Sequence, residues 1–363
     1  MTQDHPSLLS PTAAVEICTP ARLHLGMLSF GVAGGRSFGG VGVMIDRPGV
    51  QLRIRRAKRY EATGPLADRA VAFAKACVEA WRLGERVACG IEVIDVPGSH
   101  AGLGSGTQLG LAVAAGMRQL YRPRAEAQGQ QAERRFDIRD AVELARGVGR
   151  GRRSCVGIYG FSGGGLIVEG GRLMPADRVA EDDATRSFSP LLARVHLPEQ
   201  WRCVVFSMRN AVGLHGDAEK QAFASLPPVT LEISAELSRI ALMDLWPAAV
   251  EGRFAEFSDA VLRYGRLAGQ PFAEVSSRLP HAQATERLID SLVAIGARGS
   301  AQSSWGPTVM ACCESPAAAD AVVGQFAKND LSRSYNTTIA RFDTQGAVLR
   351  DIVWNPAQDT ARP

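Results

Sequence analysis

Two hydrophobic periods alternate along the chain, and together they predict a fold that mixes strands with helices. Apolar residues at every second position, as in 23–27 and 87–93, are typical of a strand with one buried face. Apolar residues three or four positions apart are typical of a helix face, and they recur clearly over 109–120. The second half continues the mixture, with a strand at 202–208 and amphipathic helices within 230–269. These patterns predict an α+β fold.

Chain length and the position of polar segments predict how this fold is divided. At 363 residues the chain is longer than one simple core usually needs, so we expect two domains. We predict a disordered tail at 1–14, an N-terminal domain at 15–190 and a C-terminal domain at 191–355. Most of the glycine-rich segments fall in the N-terminal domain. The polar and irregular segment 181–200 contains the predicted boundary.

Composition and charge exclude several classes of function. A formal net charge of +4 is small for this length, and the basic segment 53–59 has no interleaved aromatic residues, so we expect no nucleic-acid partner. No apolar run approaches the ~18 residues of a membrane span, and the first residues lack a signal-peptide pattern. The seven cysteines form no CxxC pair, which favours buried thiols in a reducing cytoplasm. We therefore expect a cytoplasmic protein with small-molecule partners and no membrane contact.

A glycine-rich turn precedes the clearest helix of the chain. The segment "PGSHAGLGSGTQLGLAVAAG" (97–116) places glycines and hydroxyl side chains where that helix begins. Unpaired backbone N–H groups and the positive end of the helix dipole suit a phosphate there, and a tight structural turn is the alternative. The pattern is neither a Walker loop, because no lysine follows the last glycine, nor GxGxxG. The candidate phosphate-binding residues are Gly102, Leu103, Gly104, Ser105, Gly106, Thr107 and Gln108.

Four segments together resemble a known family. The segment 97–116 resembles the phosphate loop of the GHMP kinase superfamily, "TPARLHLGMLSFG" (19–31) resembles its N-terminal motif, and "GSAQSSWGPTVMACC" (299–313) resembles its C-terminal motif. With "GRRSCVGIYGFSGGGLIVEGG" (151–171) they resemble one branch, the β-ribofuranosylaminobenzene 5'-phosphate synthases, over about residues 15 to 350. The resemblance implies a two-domain GHMP-kinase-like fold. Its mixed N-terminal domain would carry the phosphate loop, and its C-terminal domain would be an α/β sandwich.

The resemblance also implies a reaction. Synthases of this branch belong to tetrahydromethanopterin biosynthesis and join phosphoribosyl pyrophosphate to 4-aminobenzoate, with release of CO₂ and pyrophosphate. The acceptor 4-hydroxybenzoate is an open alternative, because it differs by one polar group on the ring. Such a decarboxylating phosphoribosyltransferase is expected to use Mg²⁺ and to form a homodimer. An ATP-dependent small-molecule kinase of the same superfamily is the second hypothesis, and a non-catalytic binding protein is the third.

Two departures from the kinase pattern favour the transfer reaction. Gly106 stands where kinases of the superfamily carry a second serine, near their magnesium ion. The segment 154–161 has no carboxylate that could activate a substrate hydroxyl. Phosphoryl transfer depends on metal charge and on an oriented nucleophile, so a kinase without both groups would be handicapped. A backbone cradle remains useful for a departing pyrophosphate.

The remaining candidate residues lie in or near the other motif segments. Arg22, His24 and Arg36 are candidate catalytic residues, and one arginine, Arg22 or Arg36, is expected to hold the carboxylate of the acceptor. An ordinary solvated arginine is the alternative for each. Trp305 could stack on the acceptor ring or pack in the core. The sequence assigns no metal ligands. The candidate substrate-binding residues are Arg153, His215, Ser303, Ser304, Trp305 and Gly306.

Overall fold

The strands form two larger sheets and one short antiparallel pair, Arg36–Ser37 with Arg172–Leu173. The computed structural model describes residues 12–31, 35–98, 101–121, 133–174, 188–209, 221, 226–273 and 281–354. The strands are β1 (Thr12–Gly26), β2 (Arg36–Ser37), β3 (Gly40–Ala57), β4 (Glu61–Thr63), β5 (Ala88–Asp95), β6 (Leu166–Glu169), β7 (Arg172–Leu173), β8 (Leu191–Val195), β9 (Arg202–Met208), β10 (Ser300–Gln302), β11 (Thr308–Cys313), β12 (Tyr335–Arg341) and β13 (Val348–Trp354).

Helices cover the faces of these sheets, and several begin at a side-chain cap. They are α1 (Ala67–Ala80), α2 (Ser105–Tyr121), α3 (Ile138–Gly147), α4 (Val156–Phe161), α5 (Leu231–Arg239), α6 (Trp246–Glu251), α7 (Phe254–Gly269), α8 (Ala282–Ala294) and α9 (Pro316–Phe326). Asp137, Thr230 and Ser315 accept backbone N–H bonds at the starts of α3, α5 and α9. A π-helical turn, Ile240–Leu245, joins α5 to α6.

The larger sheet has β1 and β3 at its centre. Its strand order is β13-β1-β3-β5-β4, and β6 joins β3 while β8 joins β6. All of these pairs are antiparallel except β4 with β5. β13 lies along the first part of β1, from Thr12 opposite Trp354 to Cys18 opposite Val348. Strands that are far apart in the sequence therefore share this sheet.

A register shift in β1 decides which of its side chains reach α2 and α4. The pairing of β1 with β3 shifts at Pro20. Before the shift, Ile17 packs in the core beneath α1–α4, whereas after it Leu23 packs in a second core. A shift of this kind reverses which alternate positions face which side of a sheet. Arg22 and His24 consequently lie on the side of α2 and α4.

The smaller sheet is antiparallel, with the order β10-β11-β9-β12. α8 and α9 cover one face through residues such as Leu288 and Phe326. The other face contributes Val205 to the second core, which Leu23 of the larger sheet and Phe257 of α7 also enter. The two sheets thus share an apolar core, and Arg341 N of β12 also donates to the Asp46 carboxylate of β3 at 2.9 Å.

The predicted α+β class is confirmed, and the predicted strand and helix segments around the motifs are present in β1, β5 and α2. Two observations bear on the expected domain division, which stays a prediction. β1 begins at Thr12, so residues 12–14 are strand rather than tail, while residues 1–11 lie outside the described residues. β8 and β13, both within 191–355, pair with strands of the larger sheet. Within the described ranges, no helix is both long and apolar enough to span a membrane.

Candidate active site

The glycine-rich loop leads directly into the first turn of α2. Gly102 and Gly104 have φ angles of +88° and +70°, a left-handed conformation that other residues adopt at a cost. The amides of Thr107 and Gln108 both donate to Gly104 O, at 3.0 and 3.1 Å. The backbone N–H groups just before them come ahead of the first intrahelical bond, as at any helix start. The loop therefore presents backbone donors at the positive end of α2.

The loop is in direct backbone contact with the turn at 303–306. A Cβ atom on Gly102 would lie 2.3 Å from Ser303 O, and one on Gly306 would lie 2.3 Å from Ala101 O. The Ser303 hydroxyl donates to Gly102 O at 2.7 Å. Only glycine fits at these two positions without moving the backbone. The phosphate-loop and C-terminal motifs, about 200 residues apart in sequence, form one structural unit.

Arg22 joins β1 to the same unit. Its backbone N–H donates to Leu103 O at 3.0 Å, and its guanidinium group donates to Gly102 O at 3.4 Å. A Cβ atom on Gly104 would lie 3.0 Å from the Arg22 Cβ atom and 3.2 Å from its Nε atom. Arg22 therefore lies directly against the loop, as a member of the site.

His24 is the second β1 residue at the site, and it is neutral. Its backbone N–H donates to the Ser303 hydroxyl at 3.0 Å, and its carbonyl accepts from Ser304 N at 2.9 Å. The side chain is 2% exposed, and its Nε2 atom has no hydrogen-bond partner among the described residues. Burial, followed by the charge of Arg22, lowers the pKa of His24 from 6.5 to about 3. The imidazole therefore stays uncharged at neutral pH.

α4 lies against the start of α2 through a contact between Gln108 and Gly157. The Gln108 side-chain amide donates to Gly157 O at 2.8 Å, while its Oε1 atom is buried with no partner in the described part of the chain. A Cβ atom on Gly157 would lie 3.4 Å from Gln108 Nε2, 3.5 Å from Thr107 Cγ2 and 3.8 Å from Arg22 Cδ. The carboxylate-free segment 154–161 is thus placed beside the loop, on the helix that faces it.

Glu169 holds the start of α4 and was not among the predicted site residues. Its Oε2 atom accepts from Cys155 N at 2.7 Å, whereas its Oε1 atom is buried with no hydrogen-bond partner among the described residues. Burial raises the pKa of Glu169 despite the bond from Cys155 N. The carboxyl group is fully buried in the β6 strand and caps a helix that has two glycines and no capping side chain at its own N-cap position. It therefore positions α4 against Gln108.

Arg69, in the first turn of α1, is a second residue that the sequence did not single out. A Cβ atom on Gly106 would lie 2.6 Å from its Nη2 atom, 3.1 Å from Cζ and 3.4 Å from Nη1. The guanidinium group therefore lies against the second residue of α2. No local pattern in the helix "ADRAVAFAKACVEA" separates this arginine from an ordinary surface residue.

The other predicted site residues are placed less centrally. Arg36 is exposed on β2, and its Nη1 atom donates to Gly171 O at 2.7 Å rather than to a loop residue. Trp305 packs edge-on against Phe272, with ring centroids 5.1 Å apart, in an apolar cluster. Arg153 lies in the turn that leads into α4. His215 lies outside the described residues.

The described residues around the loop include no cluster of metal-binding side chains. Among the described residues, no group of three or more His, Cys, Asp or Glu side chains could hold a metal ion. The guanidinium groups of Arg22 and Arg69 and the hydroxyl group of Ser303 lie against the loop. Mg²⁺ prefers carboxylate and water oxygens, so this donor set does not fit a Mg²⁺ ion held by the described protein residues.

Known proteins resemble this chain both in sequence and in fold. The β-ribofuranosylphenol 5'-phosphate synthase of Methanothermobacter thermautotrophicus is 31% identical over 306 residues, covering 81% of this chain and 87% of the relative. The synthase of the same name from Archaeoglobus fulgidus is 31% identical over 304 residues, covering 82% of this chain and 88% of the relative. A comparison with models of protein families finds no match.

Solved structures of GHMP kinases share the fold at low sequence identity. Homoserine kinase from Cytophaga hutchinsonii superposes with a TM-score of 0.58 and 16% identity, over 97% of this chain and 100% of the kinase. Phosphomevalonate kinase from Streptococcus pneumoniae gives a TM-score of 0.56 and 12% identity, over 91% of this chain and 100% of the kinase. The kinases therefore confirm the GHMP-kinase fold. The two synthases are also similar in sequence, over more than four fifths of both chains. The chain belongs to the β-ribofuranosylphenol 5'-phosphate synthase family.

Proposed function

We propose that this enzyme transfers the phosphoribosyl group of phosphoribosyl pyrophosphate to the ring carbon that carries the carboxylate of a 4-substituted benzoate. The products are a β-ribofuranosylarene 5'-phosphate, CO₂ and pyrophosphate. Membership of the synthase family carries this proposal, and the backbone loop at the start of α2 supports it. The name of the relatives contains a phenol, which favours 4-hydroxybenzoate as the acceptor over 4-aminobenzoate.

The reaction forms one bond, between ribose C1 and the ring carbon, and breaks two others, with no net proton transfer. The bond between ribose C1 and the pyrophosphate oxygen breaks, and its electron pair leaves with pyrophosphate. The ring carbon that carries the carboxylate attacks C1, and the bond from that carbon to the carboxylate then breaks to release CO₂ and restore the aromatic ring. The protein must therefore hold the leaving group, align the two carbons and exclude water.

The geometry around the loop suits these tasks. The backbone N–H groups at the start of α2 are proposed to bind pyrophosphate, with Ser105 and Thr107 supplying hydroxyl groups. His24, with its pKa lowered to about 3, is a poor proton donor or acceptor at neutral pH. This property agrees with a reaction that needs no proton transfer. We propose that His24 orders the site through its backbone bonds to the 303–306 turn.

Arg22 is the better of the two candidate arginines for the substrate carboxylate. Its guanidinium group lies against the loop, whereas the Arg36 guanidinium group binds Gly171 O on another pair of strands. We expect Arg22→Ala to raise the KM for the benzoate at least tenfold and Arg36→Ala to change it less than twofold. Equal effects of the two substitutions on this KM would contradict the assignment.

We propose that Mg²⁺ arrives with phosphoribosyl pyrophosphate as part of the substrate complex. The donor set around the loop does not hold the ion by itself, as described above. The expected homodimer and cytoplasmic location stay predictions from the resemblance and from the cysteine content.

The test uses benzoates labelled at the carboxyl carbon. The protein is incubated with phosphoribosyl pyrophosphate, Mg²⁺ and labelled 4-hydroxybenzoate or 4-aminobenzoate, and CO₂ and pyrophosphate are measured together. We expect equal amounts of both products, with the larger kcat/KM for 4-hydroxybenzoate. Absence of labelled CO₂ with both acceptors would refute the proposed reaction. Turnover of ATP with a small alcohol at ~1 per second or faster would favour the kinase instead.

A further inference from the structure

The contact between Arg69 and Gly106 is more specific than a surface arginine requires. The three atoms nearest to a Cβ on Gly106 are all guanidinium atoms of Arg69, at 2.6 to 3.4 Å. A serine at this position would need the space that the guanidinium group fills. Gly106 therefore has two effects, because it removes a hydroxyl group from the first turn of α2 and admits a positive charge there.

The packing of α1 fixes the direction from which Arg69 reaches the loop. Phe73, one turn further along α1, is buried, and its ring would lie 3.3 Å from a Cβ on Gly110 of α2. The Cζ atom of Arg69 lies 5.8 Å from the centre of this ring, and that of Arg150 lies 4.9 Å from it. Two guanidinium groups thus flank one ring beside the start of α2.

This arrangement of charge is the reverse of the usual one at a helix start. The positive end of a helix dipole favours anionic side chains, yet the first turn of α2 has no acidic residue. Arg22 and Arg69 lie against Gly104 and Gly106 instead. Positively charged groups beside a helix N-terminus suit a bound anion.

Two buried side chains at the same place also lack a partner. Gln108 is 1% exposed and His24 is 2% exposed, and Oε1 of the first and Nε2 of the second have no hydrogen-bond partner among the described residues. Buried polar atoms in native proteins are nearly always paired. Gln108 Oε1 only accepts hydrogen bonds and suits a hydroxyl donor of a ligand, whereas a neutral His24 can donate from Nε2 to a phosphate oxygen.

We propose that Arg69 binds the pyrophosphate group of the substrate beside the loop, and that Gly106 leaves the space that the Arg69 guanidinium group fills. This inference rests on the proposed function, since pyrophosphate is the leaving group of that reaction. A guanidinium group presents several N–H donors in a plane and suits two phosphate oxygens at once. Arg69 of α1 then provides part of the positive charge near the first turn of α2. Kinases of this fold have a metal ion near a serine at that position.

Binding of inorganic pyrophosphate tests the proposal without turnover. The dissociation constant is measured by titration calorimetry in EDTA, so that no divalent metal contributes. We expect the unaltered protein to bind, Arg69→Met to weaken binding at least tenfold, and Arg69→Lys to retain part of it. Lys75→Met is the matched control, because it removes one charge from the same helix at a side chain that contacts Tyr60. We expect it to change binding less than twofold.

Gly106→Ser tests the other half of the contact. Its hydroxyl group should displace the Arg69 guanidinium group, so pyrophosphate binding should weaken about as much as in Arg69→Met, and the double variant should be no weaker. In the steady state, Arg69→Lys should raise the KM for phosphoribosyl pyrophosphate and leave the KM for the benzoate within twofold.

The outcomes separate this inference from the proposed function. If the unaltered protein does not bind pyrophosphate in EDTA, or if Arg69→Met and Arg69→Lys bind as it does, the inference is wrong. CO₂ release by the unaltered protein would leave the proposed function standing in that case. Conversely, Arg69-dependent pyrophosphate binding without CO₂ release would support the site and refute the reaction. Circular dichroism of each variant shows that the comparison is made on folded protein.

Discussion

Gly102→Ala should separate the loop from the 303–306 turn. The new Cβ atom would lie 2.3 Å from Ser303 O and 3.2 Å from Gly306 Cα. Because neither atom belongs to a flexible side chain, the two backbone segments must move apart by ~1 Å to restore normal contact distances. The hydrogen bond from the Ser303 hydroxyl to Gly102 O, now 2.7 Å, would be stretched or lost.

Gly84→Ala provides the matched control for the strain at Gly102. Gly84 has a φ of +91° and Gly102 a φ of +88°, but a Cβ atom on Gly84 would meet nothing within 4 Å. Both variants therefore pay the ~1–2 kcal/mol of a left-handed alanine. Only Gly102→Ala adds the steric contact and the weakened hydrogen bonds, at ~1 kcal/mol for each bond. We expect its free energy of unfolding to be lower than that of Gly84→Ala by ~2–3 kcal/mol.

Urea unfolding at pH 7 measures this difference, with the m-value checked for constancy. The same preparations give the KM for phosphoribosyl pyrophosphate, which we expect to rise at least tenfold in Gly102→Ala and to stay within twofold in Gly84→Ala. Equal free energies of unfolding in the two variants, within ~0.5 kcal/mol, would show that the loop and the turn are not in the close contact described here.

Substitutions at three further residues test the supports of the site. Because the pKa of His24 is about 3 in the folded protein, the unfolded chain takes up a proton below pH 6.5 that the folded chain does not. Stability should therefore fall as the pH drops below 6.5, and His24→Asn should remove ~2 kcal/mol of that loss at pH 5 in urea unfolding. Glu169→Gln keeps an acceptor for Cys155 N and removes a carboxyl group whose pKa burial raises, so it should be neutral or stabilising at pH 7. Glu169→Leu removes the acceptor and should lower the free energy of unfolding by ~1–3 kcal/mol, as measured by urea unfolding. Ser303→Ala leaves His24 N and Gly102 O without their shared hydroxyl group and should also cost ~1–3 kcal/mol, whereas an unchanged midpoint would contradict both hydrogen bonds.

The core of the site was predictable because its chemistry is local. Left-handed glycines followed by hydroxyl residues mark the start of α2 within a few positions, and the alternation after Pro20 places Arg22 and His24 opposite the leucines. The resemblance named both the loop and the 303–306 turn as candidate site residues, and in the structure the Ser303 hydroxyl bonds to Gly102 O and His24 N between them. The roles of these residues in binding stay predictions.

Residues that act through tertiary contacts were missed for physical reasons. Arg69 contacts Gly106 from a different helix, and the amphipathic pattern of α1 does not predict that contact. α4 contains two glycines and has poor helix propensity, but Glu169 caps it and its residues are all buried. β8 and β13 are partly exposed edge strands without a clean alternation, so their place in the larger sheet depended on partners far away in sequence.

The pairing of β13 with β1 has a consequence for how the protein is made. β1 is the first described strand to leave the ribosome, and the partner of its residues 12–18 lies at 348–354. At 5–20 residues per second, that edge of β1 stays unpaired for about 15 to 70 seconds. An open strand edge is a template for pairing with other chains. During most of the synthesis of the chain, the edge of β1 next to Arg22 and His24 is therefore exposed to other proteins. It is paired only after β13 has been made.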